Sequence, residues 1–291
     1  MKPNDLFRKQ PARFWANVKL VSEQVGYSIR GPRGSEKALR TYTLDDVQRV
    51  YEAEGLDGDF TRKEEKFFDL VLSYMNYRAA IITDVVRPAL MDRAEAEAAY
   101  RELFEKNRES RLPSMNKQKG DKKHPAYLAA MVSLVADRVV GVGNYVDDAR
   151  RLSVISRDGI AELAFSRRYD GAYPTVANPV AVWEIKEYYG TTTFGSRVAD
   201  GVYETLLDGF EINEAEQLLG KRVKHFLFVD DRFTWWDCGR SYLCRIVDML
   251  HTGHVDEVFF GKEVLSDWEP ALRELLNEVP ESGIADPPPS K

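Results

Sequence analysis

At 291 residues with 44% apolar side chains, the chain is long enough for one large domain or two ordinary ones, and it can bury a sizeable core, which excludes global disorder. A net charge of −6 excludes a surface that is basic all over, but leaves room for a local basic face. Two cysteines, Cys238 and Cys244, make neither a disulfide framework nor a zinc set; with no signal-like segment and no 18-residue apolar run, a cytoplasmic protein without a membrane span is expected.

Residues 6–25 carry Phe7, Phe14, Trp15, Val18, Val21 and Val25 at helical spacing, with Gly26 as a stop. Tyr27 to Arg30 alternates, and Gly31-Pro32-Arg33-Gly34 reads as a turn or wing. Thr43 caps a second predicted helix whose stripe is Val47, Val50 and Tyr51. Arg30, Arg33, Lys37 and Arg40 gather at the tip between them, fitting either a winged-helix-like recognition module or a solvated loop. Residues 62–106 read as mostly helical with a break near Arg87-Pro88, so 1–106 form a mainly helical N-terminal domain.

Residues 107–124 lose apolar periodicity and gain charge. Arg108, Arg111, Lys117, Lys119, Lys122 and Lys123 face only Glu109 and Asp121. This segment is either a basic loop that neutralises phosphates or a plain linker. A second domain is expected over 125–280. It starts with a helix at 125–141 and continues with strands at 152–156, 160–169, 180–188, 223–229 and 255–260, and with helices at 196–209 and 237–250. Arg157-Asp158-Gly159 is the turn between the first two strands. Residues 281–291, with three consecutive prolines, form a disordered tail. The order of elements gives an α/β protein with a mixed β-sheet flanked by helices.

One stretch carries chemistry. Asp170 precedes a turn, and the run Val180-Ala181-Val182-Trp183 leads into Glu184-Ile185-Lys186. A strand so apolar is buried on both faces, and charge at its end requires a reason. Strand periodicity puts Glu184 and Lys186 on one face, with Ile185 opposite and its carbonyl free at the sheet edge. Asp170 and Glu184 offer the oxygen ligands that Mg²⁺ prefers, the Ile185 carbonyl could add a third, and a lysine two residues on can reach an attacking water or a scissile phosphate. A half-exposed strand with ordinary surface charges would show the same letters.

The pattern Tyr169-Asp170 followed by Glu184-Ile185-Lys186 resembles the active-site motif of the PD-(D/E)XK nuclease superfamily, with Tyr169 where a proline often stands. The resemblance covers residues of about 125–260 and implies a restriction-endonuclease-like fold. It also implies Asp170 and Glu184 as Mg²⁺ ligands (Mn²⁺ a possible substitute), Lys186 as the catalytic lysine, and double-stranded DNA as substrate, cut by a type II-like restriction or phage-defence endonuclease. A repair or structure-specific nuclease, or a non-catalytic DNA-binding or sensor protein, is the alternative. Two-fold DNA favours a homodimer. Expected DNA-backbone contacts are Arg168, Arg197 and Ser196, with Lys117, Lys119, Lys122 and Lys123 of the basic loop and Arg30 and Arg33 of the tip. Ser196 is equally an N-cap. Asp230 and Asp231 read as turn or capping residues, and the Trp235-Trp236 pair as core.

Overall fold

A computed structural model describes residues 1–8, 10–29, 37–107, 111–116, 123–190 and 195–278. Arg30, Arg33, Arg108, Lys117, Lys119, Lys122 and the 281–291 tail therefore lie outside the described residues.

The first elements are α1 (Ala12–Val25), the two-residue strands β1 (Ser28–Ile29) and β2 (Ala38–Leu39), α2 (Leu44–Ala53), α3 (Phe60–Lys63) and α4 (Glu65–Ile81). Helix α1 ends at Gly26, whose φ of 91° suits glycine. The expected cap of α2 is a full capping box: the Asp46 N–H donates to Thr43 Oγ1 while the Asp46 carboxylate accepts from the Thr43 N–H. These helices share one core of Phe14, Val18, Val47, Phe68, Val71 and Tyr74.

The predicted break near Arg87-Pro88 is a π-helical turn, Ile82–Val86, followed by the short α5 (Arg87–Ala89). Next come α6 (Arg93–Asn107) and α7 (Tyr127–Val139). The sequence placed α6 with the N-terminal helices, but Ala96, Tyr100 and Leu103 share a core with α7 and the central sheet.

Strands β3 (Val146–Asp147), β4 (Val154–Arg157), β5 (Ile160–Ala164), β6 (Gly171–Tyr173) and β7 (Ala181–Glu187) follow. Then come α8 (Ser196–Leu219), β8 (Lys224–Asp230), a π-helical turn (Phe233–Cys238), α9 (Arg240–Thr252), β9 (Glu257–Phe260), α10 (Glu263–Ser266) and α11 (Trp268–Glu278). The chain is mixed α/β around a five-stranded sheet of order β3-β6-β7-β8-β9. The first three of those strands are antiparallel neighbours, and β7, β8 and β9 run parallel. Alternate strand residues sort to two faces. Trp183, Phe226, Phe228 and Phe259 pack on α6, α7 and α11, while Leu227, Val229, Val258 and Phe260 pack on α8 and α9.

Two predicted strands sit elsewhere than expected. Segments 152–156 and 160–169 pair with each other as the β4–β5 hairpin, outside the central sheet, through the foreseen Asp158-Gly159 turn. Strand β5 stops at Ala164, and the buried Phe165 and Tyr169 anchor residues 165–169 in the core beneath the hairpin. The first central strand is the two-residue β3, too short for alternation to register. Helix α8 runs ten residues beyond its predicted end. Gly209, the last residue of the expected span, is an interior helix residue where a Cβ would lie 2.4 Å from the His254 carbonyl oxygen. The real stop is Gly220, at φ 66°.

Gly171, directly after the candidate acid, pairs with Trp183, and a Cβ there would fall 2.0 Å from the indole ring. Trp183 cannot yield, being buried against Tyr145 and Trp268. Gly171→Ala is therefore expected to destabilise the fold by about 1–3 kcal/mol or more through overpacking, read as a lower denaturation midpoint. A midpoint equal to that of the parent would show that the β6–β7 contact is loose.

Candidate active site

The Gly171–Trp183 pair is the last rung of the β6–β7 ladder, so the next step of the antiparallel register sets Asp170 opposite Glu184. From Glu184 onward β7 has β8 on one side and an open edge on the other. Asp170 fills that edge: its Oδ2 accepts from the Ile185 N–H at 2.8 Å. On the α8 face, Lys186 Nζ donates to Glu184 Oε2 at 2.8 Å, with both side chains buried. The three residues singled out by the sequence are thus brought together. Ile185 points to the other face, against the α7 core, as expected. A strand residue presents its N–H and C=O to the same side, so the Ile185 carbonyl faces the edge where Asp170 lies.

Three further groups complete the cluster. Arg167 NH1 donates to Asp208 Oδ2 at 2.7 Å, Arg167 NH2 lies 3.0 Å from Glu204 Oε2, and Lys186 Nζ lies 3.8 Å from that same Glu204 oxygen. Arg167 NH1 also stands 3.6 Å from Glu184 Oε1, beyond hydrogen-bond length, and that buried oxygen has no hydrogen-bond partner among the described residues. The lysine stem passes Gly201 of α8, where a Cβ would stand 3.1 Å from the Tyr188 hydroxyl oxygen and in ordinary contact, 3.5 Å, with Lys186 Cδ. The sequence missed Glu204 and Asp208. Their spacing of four put them on one face of α8, but nothing in the letters aimed that face at β7.

The site opens into a cleft of about 1000 Å³. Along its wall are seven carboxylate residues and four lysine or arginine residues, so the cleft invites a cation. Asp170 is exposed as a residue, yet its carboxylate stands at the foot of the cleft, crowded by protein. That crowding, then the charge of Glu184, push its pKa up to about 6. The upward direction does not depend on crowding alone, because the neighbouring carboxylate acts the same way. Burial, then Glu184, raise Asp208 to about 7 despite Arg167. For Lys186, burial favours the neutral amine, but the Glu184 carboxylate and its hydrogen bond outweigh it and hold the ammonium pKa above its ordinary value.

Of the expected DNA contacts, Ser196 and Arg197 are exposed and line the cleft, whereas Arg168 and Lys123 are exposed but do not line it. Strand parity fails for Arg168 because residues 165–169 are not a strand; Arg167 takes the inward position instead. Ser196 is not a helix cap either. Gly195 holds the N-cap position, and no side chain caps α8. Among the described residues no three His, Cys, Asp or Glu side chains form a metal set.

Residues 91–275, more than half the chain, match a family described as "Domain of unknown function (DUF7687)". The chain belongs to that family. Residues 1–85 match a second one, "Domain of unknown function (DUF7690)". The DUF7687 match takes in all the site residues together with α6, which supports the packing of that helix with the sheet; the two matches meet at the π-helical turn and α5. No curated protein and no solved structure matches the chain.

Beside the cleft, Glu187 Oε2 accepts from the Ala129 N–H at 3.2 Å, in the first turn of α7, and burial raises Glu187 to about 8 even so. Asp230, expected as a turn residue, is wholly buried and accepts from the N–H groups of Met91 and Asp231, each at 2.8 Å, and from the Tyr189 hydroxyl. Burial raises it to about 7. The folded state therefore keeps a proton that the unfolded chain releases near pH 4, and this contribution to stability is lost as pH rises from about 4 through 7. Asp230→Asn should flatten that part of the dependence of melting temperature on pH. An unchanged slope would assign it to other groups.

Proposed function

We propose that this DUF7687 protein is a cytoplasmic, Mg²⁺-dependent endonuclease of restriction-endonuclease-like fold that hydrolyses phosphodiester bonds of double-stranded DNA, in restriction or phage defence. The observation that carries the reading is the meeting of Asp170, Glu184 and Lys186 at the open edge of a buried strand, at the foot of a cleft. Support also comes from the succession of elements: a helix (α7), an antiparallel set of three strands (β3, β6, β7) that ends in the three residues, a helix (α8) and a parallel strand (β8). The β4–β5 hairpin is an insertion between its first two strands.

The residues present suit a divalent cation. Four carboxylates (Asp170, Glu184, Glu204, Asp208) meet two cations (Arg167, Lys186), a formal charge of −2. Glu184 Oε1, buried without a hydrogen bond, is the oxygen such a group most needs. Asp170, Glu184 and the Ile185 carbonyl would hold Mg²⁺, or Mn²⁺ in its place, with water completing the shell. When bound, the ion supplies charge on the phosphoryl oxygen and acidifies a water. Lys186 supplies a fixed ammonium whose donors not taken by Glu184 serve the attacking water or the scissile phosphate. Asp170, tied to the Ile185 N–H, fixes the mouth of the pair. Ser196 and Arg197 at the start of α8 border the cleft where a phosphate backbone would run. A duplex cut in both strands favours a homodimer.

A second reading has one observation in its favour: Glu184, Lys186, Arg167 and Glu204 already pair with one another, as a structural ion network at a strand end would. On that view the protein binds DNA without cutting it. The two part on Lys186→Ala assayed with plasmid and Mg²⁺. Cleavage should fall on the order of 10²–10³-fold, as for loss of one transition-state donor, while DNA binding in Ca²⁺ changes little. A variant that cuts as well as the parent would remove the nuclease assignment. Parallel assays on single-stranded DNA and RNA distinguish a duplex nuclease from a repair or structure-specific one.

A further inference from the structure

Glu184 has two oxygens in different circumstances. Oε2 takes the Lys186 ammonium at 2.8 Å. Oε1 is buried and has no hydrogen bond among the described residues, although a guanidinium lies 3.6 Å away. Burial without a partner is costly for a carboxylate oxygen, and Arg167 has five N–H donors. A small shift of Arg167 would close the gap. It does not close because Arg167 is held from α8: Asp208, wholly buried, takes NH1 at 2.7 Å, and Glu204 takes NH2 at 3.0 Å.

We infer that Asp208 and Glu204 act as a retaining pair that keeps Arg167 off Glu184 Oε1, so that this oxygen stays available to a divalent cation. The inference rests on the reading of Asp170 and Glu184 as the metal-holding pair and adds a control that the motif itself does not contain. Arg167 is a competitor for the metal's oxygen, restrained by two carboxylates four residues apart on one helix. Asp208 and Glu204 are positioning residues that act through Arg167. The arrangement has a further consequence. Arg167 remains beside the site as a cation in reserve, able to move towards a phosphate that approaches the cleft.

The test is Mn²⁺ binding to the full chain, followed by the loss of the free-ion electron paramagnetic signal, with no DNA present. Asp208→Asn keeps the shape of the side chain but loosens its hold on Arg167. Mn²⁺ affinity should drop about tenfold, the worth of one new charge-assisted hydrogen bond competing for the oxygen. Arg167→Met alone should leave affinity equal or tighter, and Asp208→Asn combined with Arg167→Met should recover it. Should Asp208→Asn fail to fold, as read by thermal melting, Glu204→Gln, at a half-buried position, is expected to weaken Mn²⁺ binding in the same direction, again with recovery on adding Arg167→Met. If Arg167→Met by itself weakens Mn²⁺ binding, or if the double variant does not recover, Arg167 supports the site and the inference is overturned while the metal site stands. If the parent protein takes up no Mn²⁺, both the metal site and the inference fall.

Discussion

A carboxylate and an ammonium cannot be buried separately at the end of an apolar strand. Each ion taken alone from water costs several kcal/mol even after the protein relaxes, and only close mutual pairing offsets this. Glu184 and Lys186 are both less than a tenth exposed and lie two residues apart on the same face of β7. Much of the neighbourhood follows from keeping them there. Gly171 lets Trp183 close the opposite face, and Asp170 ends the ladder by accepting the first N–H that β6 leaves free. Arg167 and the α8 acids then set the balance of charge around the pair.

The same strand end serves a second purpose on its other face. Glu187 points towards α7 and accepts from its first-turn N–H groups, while Asp230 on β8, its register partner, gathers donors from Met91, Asp231 and Tyr189. These acids orient helices and loops, although Glu187 Oε1, like Glu184 Oε1 on the opposite face, is buried without a hydrogen-bond partner among the described residues. Asp230, reached by three donors, is the fully anchored acid of this strand end, and Glu184 and Glu187 each keep one oxygen in want of a donor.

The legibility of the chain followed the length of its patterns. Strands β7 and β8 and helices α7 and α9 were readable because each carries several apolar residues at one period, and the Thr43 cap and the Asp158-Gly159 turn because their chemistry is local. Asp170, Glu184 and Lys186 were readable from strand periodicity and an acid before a turn. Strand β3 was not, since two residues have no period. The last ten residues of α8 were not, and the close approach of Gly209 to His254 within them is a tertiary fact. Glu204 and Asp208 were invisible as site residues for the same reason: which face of α8 meets β7 is decided by the packing of Val198, Val202 and Ile212, not by the acids themselves.

The two family segments of this chain are joined by more than a peptide bond. Arg78 of α4 is almost wholly buried, and its guanidinium grips Asp248 of α9 at 2.7 and 3.0 Å and Ser22 of α1 at 2.9 Å, while the Tyr74 hydroxyl reaches the same aspartate at 2.6 Å. A buried charge without its counterpart is strongly destabilising. Neither segment can therefore be shed, or exchanged for a different neighbour, without stranding an ion in the other. Helices that would otherwise be a detachable module are bound to a helix that backs the central sheet, so displacement of one segment is mechanically coupled to the other.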